Sequence, residues 1–175
     1  MRIRAGAAVL VILAALVLPG AAAAGNGTPP IRADLEGSPL KVAEISSYYC
    51  HDYSFPTIHC FRTAAGVEAA ILTSSVGAAT SDGTAVAAFG PNDYVTIYSE
   101  PSYGGSYMHL SQNYDTLFWI GWNDRISSFK GRNSASGTFW SDWYGTGHGT
   151  PFCCNQTVPW LSASVDNTFT SVYRG

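Results

Sequence analysis

Two hexapeptides, Asn123-Asp124-Arg125-Ile126-Ser127-Ser128 and Asp166-Asn167-Thr168-Phe169-Thr170-Ser171, share the form Asx-Asx-x-x-Ser/Thr-Ser and begin 43 residues apart. A repeat at that interval requires two similar units that place these loops in equivalent positions. Each loop runs on into Phe129-Lys130 or Val172-Tyr173, residue types suited to a half-buried strand. The chain around them reads as all-β beyond residue 92. Tyr94–Tyr98 and Ser106–Leu110 are short alternating strands, separated by turns that carry Gly and Asn. Trp119, Trp122, Trp140 and Trp143 crowd one stretch and supply a large apolar payload for a small β domain.

The loop chemistry points to a hard cation. Ca2+ takes roughly six to eight oxygens at about 2.3–2.6 Å, more than one hexapeptide can present. Two lying side by side can offer carboxylate, amide, hydroxyl and backbone carbonyl oxygens together. Single Asx or Ser pairs also occur as ordinary turn residues; it is the recurrence at equivalent places that favours ligation.

Upstream of the first hexapeptide, Tyr98-Ser-Glu-Pro-Ser-Tyr103-Gly104-Gly105 follows an aromatic-x4-aromatic-x-Gly pattern. It describes a folded hairpin in which Gly105 takes a backbone conformation other residues avoid. With Trp119-Ile-Gly-Trp-Asn-Asp-Arg-Ile-Ser-Ser, the stretch 94–130 closely resembles a Greek-key motif of the βγ-crystallin family, and the tandem hexapeptides resemble that family's double-clamp calcium site. The resemblance covers about residues 92–175 and implies a mainly β, βγ-crystallin-like Greek-key β-sandwich. The second motif is looser. Phe139 and Tyr144 keep the aromatic spacing, but Thr146 stands where Gly is expected, between Gly145 and Gly147, and Phe169 replaces a more usual aliphatic residue. That departure bears on the shape of the second hairpin.

The resemblance also implies a ligand scheme. Ser127 and Thr170, fifth in each clamp, give hydroxyls. Arg125 and Thr168 give backbone carbonyls. Asp124 and Asn167 complete the neighbouring site across the pair. Asn123, Asp166 and Ser171 belong to the same oxygen-rich set, and Glu100 and Asp142 are the nearest candidates for hairpin carbonyls. Asn167 in place of a carboxylate predicts two unequal sites.

The N-terminal half is of another kind. Arg2 and Arg4, the apolar run Val9–Leu18, Pro19-Gly20 and the small residues Ala21–Gly25 have the layout of a secretory signal over 1–24, so the product is expected to be secreted and extracellular. Residues 25–40 read as a flexible leader. An extension and linker follow over 41–91, ahead of the Greek-key domain at 92–175. Within it, Val42–Tyr53 and Thr57–Phe61 predict a hairpin turning at Ser54-Phe55-Pro56. A short helix is expected from Thr63 to about Ser75, and one further strand at Ala85–Phe89.

Cys50, Cys60, Cys153 and Cys154 would enter an oxidising compartment, where an even count favours two disulfides. Strain in the eight-membered ring of a vicinal pair favours Cys50 and Cys60 each crossing to Cys153 or Cys154. The rival is a Cys50–Cys60 hairpin staple beside a Cys153–Cys154 pair. Cys50-His51 with His59-Cys60 could also form a zinc site, a reading that export disfavours.

With Arg2 and Arg4 set aside, 7 of the 9 basic residues remain against 12 acidic ones, and none cluster. Neither nucleic acid nor an anionic membrane surface is an expected partner. The chain lacks a Gly-x-Ser-x-Gly elbow, a His-Glu-x-x-His pair and a phosphate-cradling Gly loop, and a catalytic role for residues 41–91 is disfavoured. The sequons Asn26-Gly-Thr28 and Asn155-Gln-Thr157 need no function. The sequence thus predicts a non-catalytic, calcium-binding, secreted protein in which the metal stabilises the Greek-key domain. The alternative is a secreted protease inhibitor or toxin-like binding protein on the same scaffold, acting on a protein partner such as a protease; Tyr53, Phe55 and Ile58 could supply an exposed anchor, although hairpin core is the favoured role for them.

Overall fold

A computed structural model describes residues 30–77 and 93–175. The signal segment, the first residues of the leader and the strand expected at Ala85–Phe89 lie outside them.

Two sheets enclose the core. In chain order the larger contains β1 (Arg32–Leu35), β2 (Ser38–Leu40), β3 (Tyr49–Ser54), β4 (Thr57–Phe61), β5 (Val95–Glu100), β6 (Gly104–Leu110), β7 (Ser128–Gly131) and β10 (Thr157–Val158). Its spatial order is β10-β7-β5-β6-β3-β4-β1-β2. The smaller sheet holds β8 (Gly137–Trp140), β9 (Gly149–Phe152) and β11 (Ser171–Arg174) in the order β11-β8-β9. Alternation along the strands puts Ile97, Met108, Phe129, Phe139 and Val172 into one core with Trp122 and Phe169. Phe169, the residue out of keeping with the first clamp, stacks on Phe139 with ring centroids 4.9 Å apart.

The extension is part of the same sheet. β3 runs parallel to β6, with Cys50 opposite Met108 and His51 opposite His109. Thus the β3–β4 hairpin, turning at Phe55-Pro56 as the sequence predicts, continues the Greek-key sheet outward. Helix α1 (Ala64–Gly77) follows, and its buried Val67 packs with Tyr98 and Tyr107.

Two expectations need correction. Residues 32–40, read as part of a flexible leader, form an antiparallel hairpin whose first strand pairs in parallel with β4; the buried side chains of Ala33 and Leu35 hold it there. The favoured crossed disulfides are absent. Cys50 pairs with Cys60 and Cys153 with Cys154, because Cys50 and Cys60 stand directly opposite in the β3–β4 register with Cα atoms 4.1 Å apart. Both sulfurs are therefore used, and the zinc reading goes with them. Tyr53, Phe55 and Ile58 take the hairpin-core role that the sequence favours for them over an exposed anchor. Ile58 is fully buried, Tyr53 stacks on His51, and Phe55 meets Tyr114 edge-on.

Candidate metal centre

The hexapeptides lie side by side. Asp124 N–H donates to the Phe169 carbonyl at 3.0 Å, and Asn167 N–H donates to the Ile126 carbonyl at 3.1 Å. The two bonds are counterparts: second residue of one clamp to fourth residue of the other, in both directions. A local twofold therefore relates the loops and brings Asp124 and Asn167, both at positive φ (53° and 56°), to one place.

Each clamp is also fixed to its own motif. Ser127 N–H donates to the Tyr98 carbonyl at 3.0 Å, and Thr170 N–H to the Trp140 carbonyl at 2.8 Å. Ser128 and Ser171 are fully buried and hold the folded hairpins. The Ser128 hydroxyl donates to the Glu100 carbonyl at 2.7 Å and accepts from Tyr103 N–H at 3.1 Å. The Ser171 hydroxyl donates to the Asp142 carbonyl at 2.6 Å and accepts from Gly145 N–H at 3.1 Å. The Ser171 hydroxyl is thus engaged within its hairpin. Ser128 is a site residue that the clamp pattern contains but whose role its spacing does not state.

These bonds also correct the alignment of the second hairpin. Trp140 is the counterpart of Tyr98, since Tyr98 faces Ser128 and Trp140 faces Ser171 in their strand pairs. Gly145 then matches Tyr103, and Gly147 matches Gly105. The backbone agrees: Ser102 and Tyr144 have φ of 56° and 58°, Tyr103 and Gly145 63° and 68°, Gly105 and Gly147 70° and 80°. Thr146, at φ −115°, occupies an extended position that any residue can take. The second hairpin therefore keeps the shape of the first. A Cβ on Gly147 would run into Ser141 Oγ and Asp142 Oδ2, so glycine is needed there.

One pair of the oxygens the sequence nominates meets across the clamps. Ser127 Oγ lies 3.3 Å from Asn167 Oδ1, a hydroxyl of one clamp against the amide of the other. Asn123 Nδ2 donates to Asp124 Oδ2 at 2.6 Å. Burial pushes the Asp124 carboxyl above its ordinary range, and the Asn123 bond partly opposes this. Arg125 is exposed, and Thr168 Oγ1 turns back to the Val165 carbonyl at 2.8 Å, so only their backbone carbonyls are available to a shared ligand. Glu100 and Asp142 stand at corresponding hairpin entrances.

The residues fit a calcium ion by one further observation. Asn123 Oδ1 and Asp166 Oδ1, first in each clamp, are buried oxygens without a hydrogen-bond partner. An orphaned buried acceptor is costly, and here the cost falls at two equivalent positions. Among the described residues no three His, Cys, Asp or Glu side chains form a metal cluster; the donors at the clamps are mostly amide, hydroxyl and carbonyl oxygens, as a hard cation accepts.

No family model matches the chain, and no curated protein matches it. Solved βγ-crystallin domains do. One from Clostridium beijerinckii is 26% identical, covering 46% of this chain and 95% of its own, with a TM-score of 0.41. The βγ-crystallin of Ciona intestinalis is 18% identical over 47% of this chain and 99% of its own, with a TM-score of 0.43. A structure described for the evolution of the eye-lens βγ-crystallin fold is 17% identical over 48% and 86%, with a TM-score of 0.46. The likeness is one of fold and spans about half of the chain.

Proposed function

We propose that this is an exported, non-catalytic calcium-binding protein whose paired clamps hold the ion and whose Greek-key fold the ion stabilises. The observation that carries this reading is the reciprocal bonding of the two clamps, which sets the loops side by side with their oxygen-bearing residues at equivalent positions. In it, Ser127 and Asn167 serve one site, and Thr170 and Asp124 the other. The carbonyls of Arg125 and Thr168 contribute, with those of Glu100 and Asp142 at the hairpins. Each hairpin carbonyl accepts one serine hydroxyl and keeps a second lone pair for a ligand. Asn123 Oδ1 and Asp166 Oδ1 gain a partner directly or through a bound water. Only the Asp124 side brings a second-position carboxylate, so that site binds more tightly.

Export is supported by the basic start and apolar run of the first residues, and by the Cys50–Cys60 cross-strand disulfide, which suits an oxidising compartment. For the inhibitor or toxin-like alternative, Ile58 is fully buried and offers no contact surface.

Thermal melting tests the proposal. An ion that binds only the folded state at a hundredfold excess over Kd adds about 2.7 kcal/mol. In a domain of this size that raises the midpoint by about 5–10 °C. The midpoint in calcium should exceed that in chelator by this order, and the double variant Ser127→Ala/Thr170→Ala should lose most of the difference. Equal midpoints in calcium and chelator would overturn the reading.

A further inference from the structure

Phe118, Trp119, Trp143 and Tyr144 form a surface cluster that the metal reading leaves without a role. Ring centroids lie 5.2 Å apart for Phe118–Trp119, 6.3 Å for Trp119–Trp143 and 6.2 Å for Trp143–Tyr144. The four side chains are 55%, 60%, 42% and 66% exposed. A contiguous patch of large exposed rings marks an interaction site. Both elements that carry it are tied down. The turn Phe118–Ile120 closes on Gly121 at φ 72°, and Tyr144 N–H donates to the Asp115 carbonyl at 2.9 Å. The rings are thus presented by fixed backbone.

Beside them lies a groove. Trp119 and Tyr144 wall one end of an open cavity of about 360 Å3 that also includes Asn113, Asp115 and Thr116. A second cavity, of about 280 Å3, shares Phe55 and Asn113 with the first and continues to Arg174. Among its side chains the groove carries one carboxylate, Asp115, and one guanidinium, Arg174, and these offset each other. Its polar groups keep bonding capacity. Asp115 accepts from the Tyr173 hydroxyl through Oδ1 and retains Oδ2. Asn113 accepts Arg174 N–H through Oδ1 at 2.8 Å and retains its NH2. Thr116 accepts Phe118 N–H at 3.1 Å and retains a proton to donate.

We infer that this groove binds a neutral polysaccharide chain, with Trp119 and Tyr144 as the stacking platform. A pyranose joins the two chemistries found here. Its C–H faces are apolar and carry partial positive charge, which the negative face of an aromatic ring attracts. Its rim of hydroxyls both donates and accepts, matching a carboxylate, an amide and a hydroxyl placed around an apolar wall. Two adjacent cavities that share Phe55 and Asn113 suit successive sugar units of a polymer. An anionic bilayer is disfavoured, because no cation lines the aromatic end of the groove and such surfaces recruit basic residues. None of the clamp residues lines the groove, so the inference stands apart from calcium.

The test is co-sedimentation of the purified protein with insoluble cellulose, chitin, xylan and starch granules, in calcium and in chelator. Trp119→Ala and Tyr144→Ala are the variants, both at exposed positions, with melting curves recorded as a control on folding. Retention on at least one of the four polymers is expected in either condition. Soluble oligosaccharide of the same polymer should compete, and either variant should weaken retention at least tenfold with its melting midpoint kept. The inference is overturned by no retention on any of the four, or by retention that both folded variants match. It is overturned equally if no polymer is retained and the variants instead abolish flotation with phosphatidylcholine vesicles or a concentration-dependent dimer, which assign the rings to a membrane or a second copy.

Discussion

Replacing Ser128 by Ala removes a fully buried hydroxyl that donates to Glu100 and accepts from Tyr103, and it leaves both part-buried backbone groups without that partner. The cost is about 2 kcal/mol, a fall in melting midpoint of about 4–8 °C, and it should appear with calcium or with chelator. Ser171→Ala should behave alike, whereas Ser127→Ala next door should matter mainly when calcium is present. A chelator melt in which Ser127→Ala is the more damaging change would reverse these roles. The histidines give a pH prediction. Burial lowers the His51 pKa to about 4, with the neighbouring His59 adding to the effect and Asp34 opposing it. Burial likewise lowers His109 to about 3, helped by His51 and Arg132. Below about pH 6.5 the unfolded chain therefore takes up protons that the folded one refuses, and stability falls as pH drops from there towards 4. For His51 alone the loss reaches about 3 kcal/mol by pH 4. His51→Phe should flatten the fall in melting midpoint between pH 6.5 and 4.5; an unchanged slope would exclude His51 as a source. The clamp oxygens were legible in sequence because each lies at a fixed spacing within its own loop. The work of Ser128 and Ser171 was not, since it depends on hairpins about 28 residues upstream.

At the scale of elements, the second hairpin shows how a pattern can be read one residue out of step. Phe139 and Trp140 are adjacent aromatics, and either satisfies the spacing to a later residue. Strand pairing decides between them: Phe139 is buried in the core, while Trp140 faces Ser171. A one-residue slip exchanges the two faces of a strand, so only the register reveals that Gly147, not Thr146, matches Gly105. The cysteines illustrate the same dependence. Cys50 and Cys60 become partners through the β3–β4 register, which spacing along the chain leaves open. Their bridge closes a loop with a sequence separation of 10, and chain-entropy reasoning gives it about 3 kcal/mol. Cys50→Ala/Cys60→Ala should lower the melting midpoint by about 6–12 °C. An unchanged midpoint would show that the hairpin holds its register without the bridge.

Over the whole molecule, the Greek-key half was visible in the sequence as a repeat, and the extension was visible only as separate pieces. A hairpin and a helix could be read from local composition, but the parallel join of β3 to β6 and of β1 to β4 rests on contacts far apart in the chain. The result is one sheet that runs from the clamp-bearing motif out to the N-terminal hairpin, with the paired clamps on the Greek-key portion. Calcium calorimetry on the purified protein is the decisive measurement. Two unequal sites are expected, with Asp124→Asn weakening the tighter one and Ser127→Ala/Thr170→Ala reducing binding at both. Absence of calcium binding, two identical tight sites, or a titration that the double variant leaves unchanged would contradict this expectation.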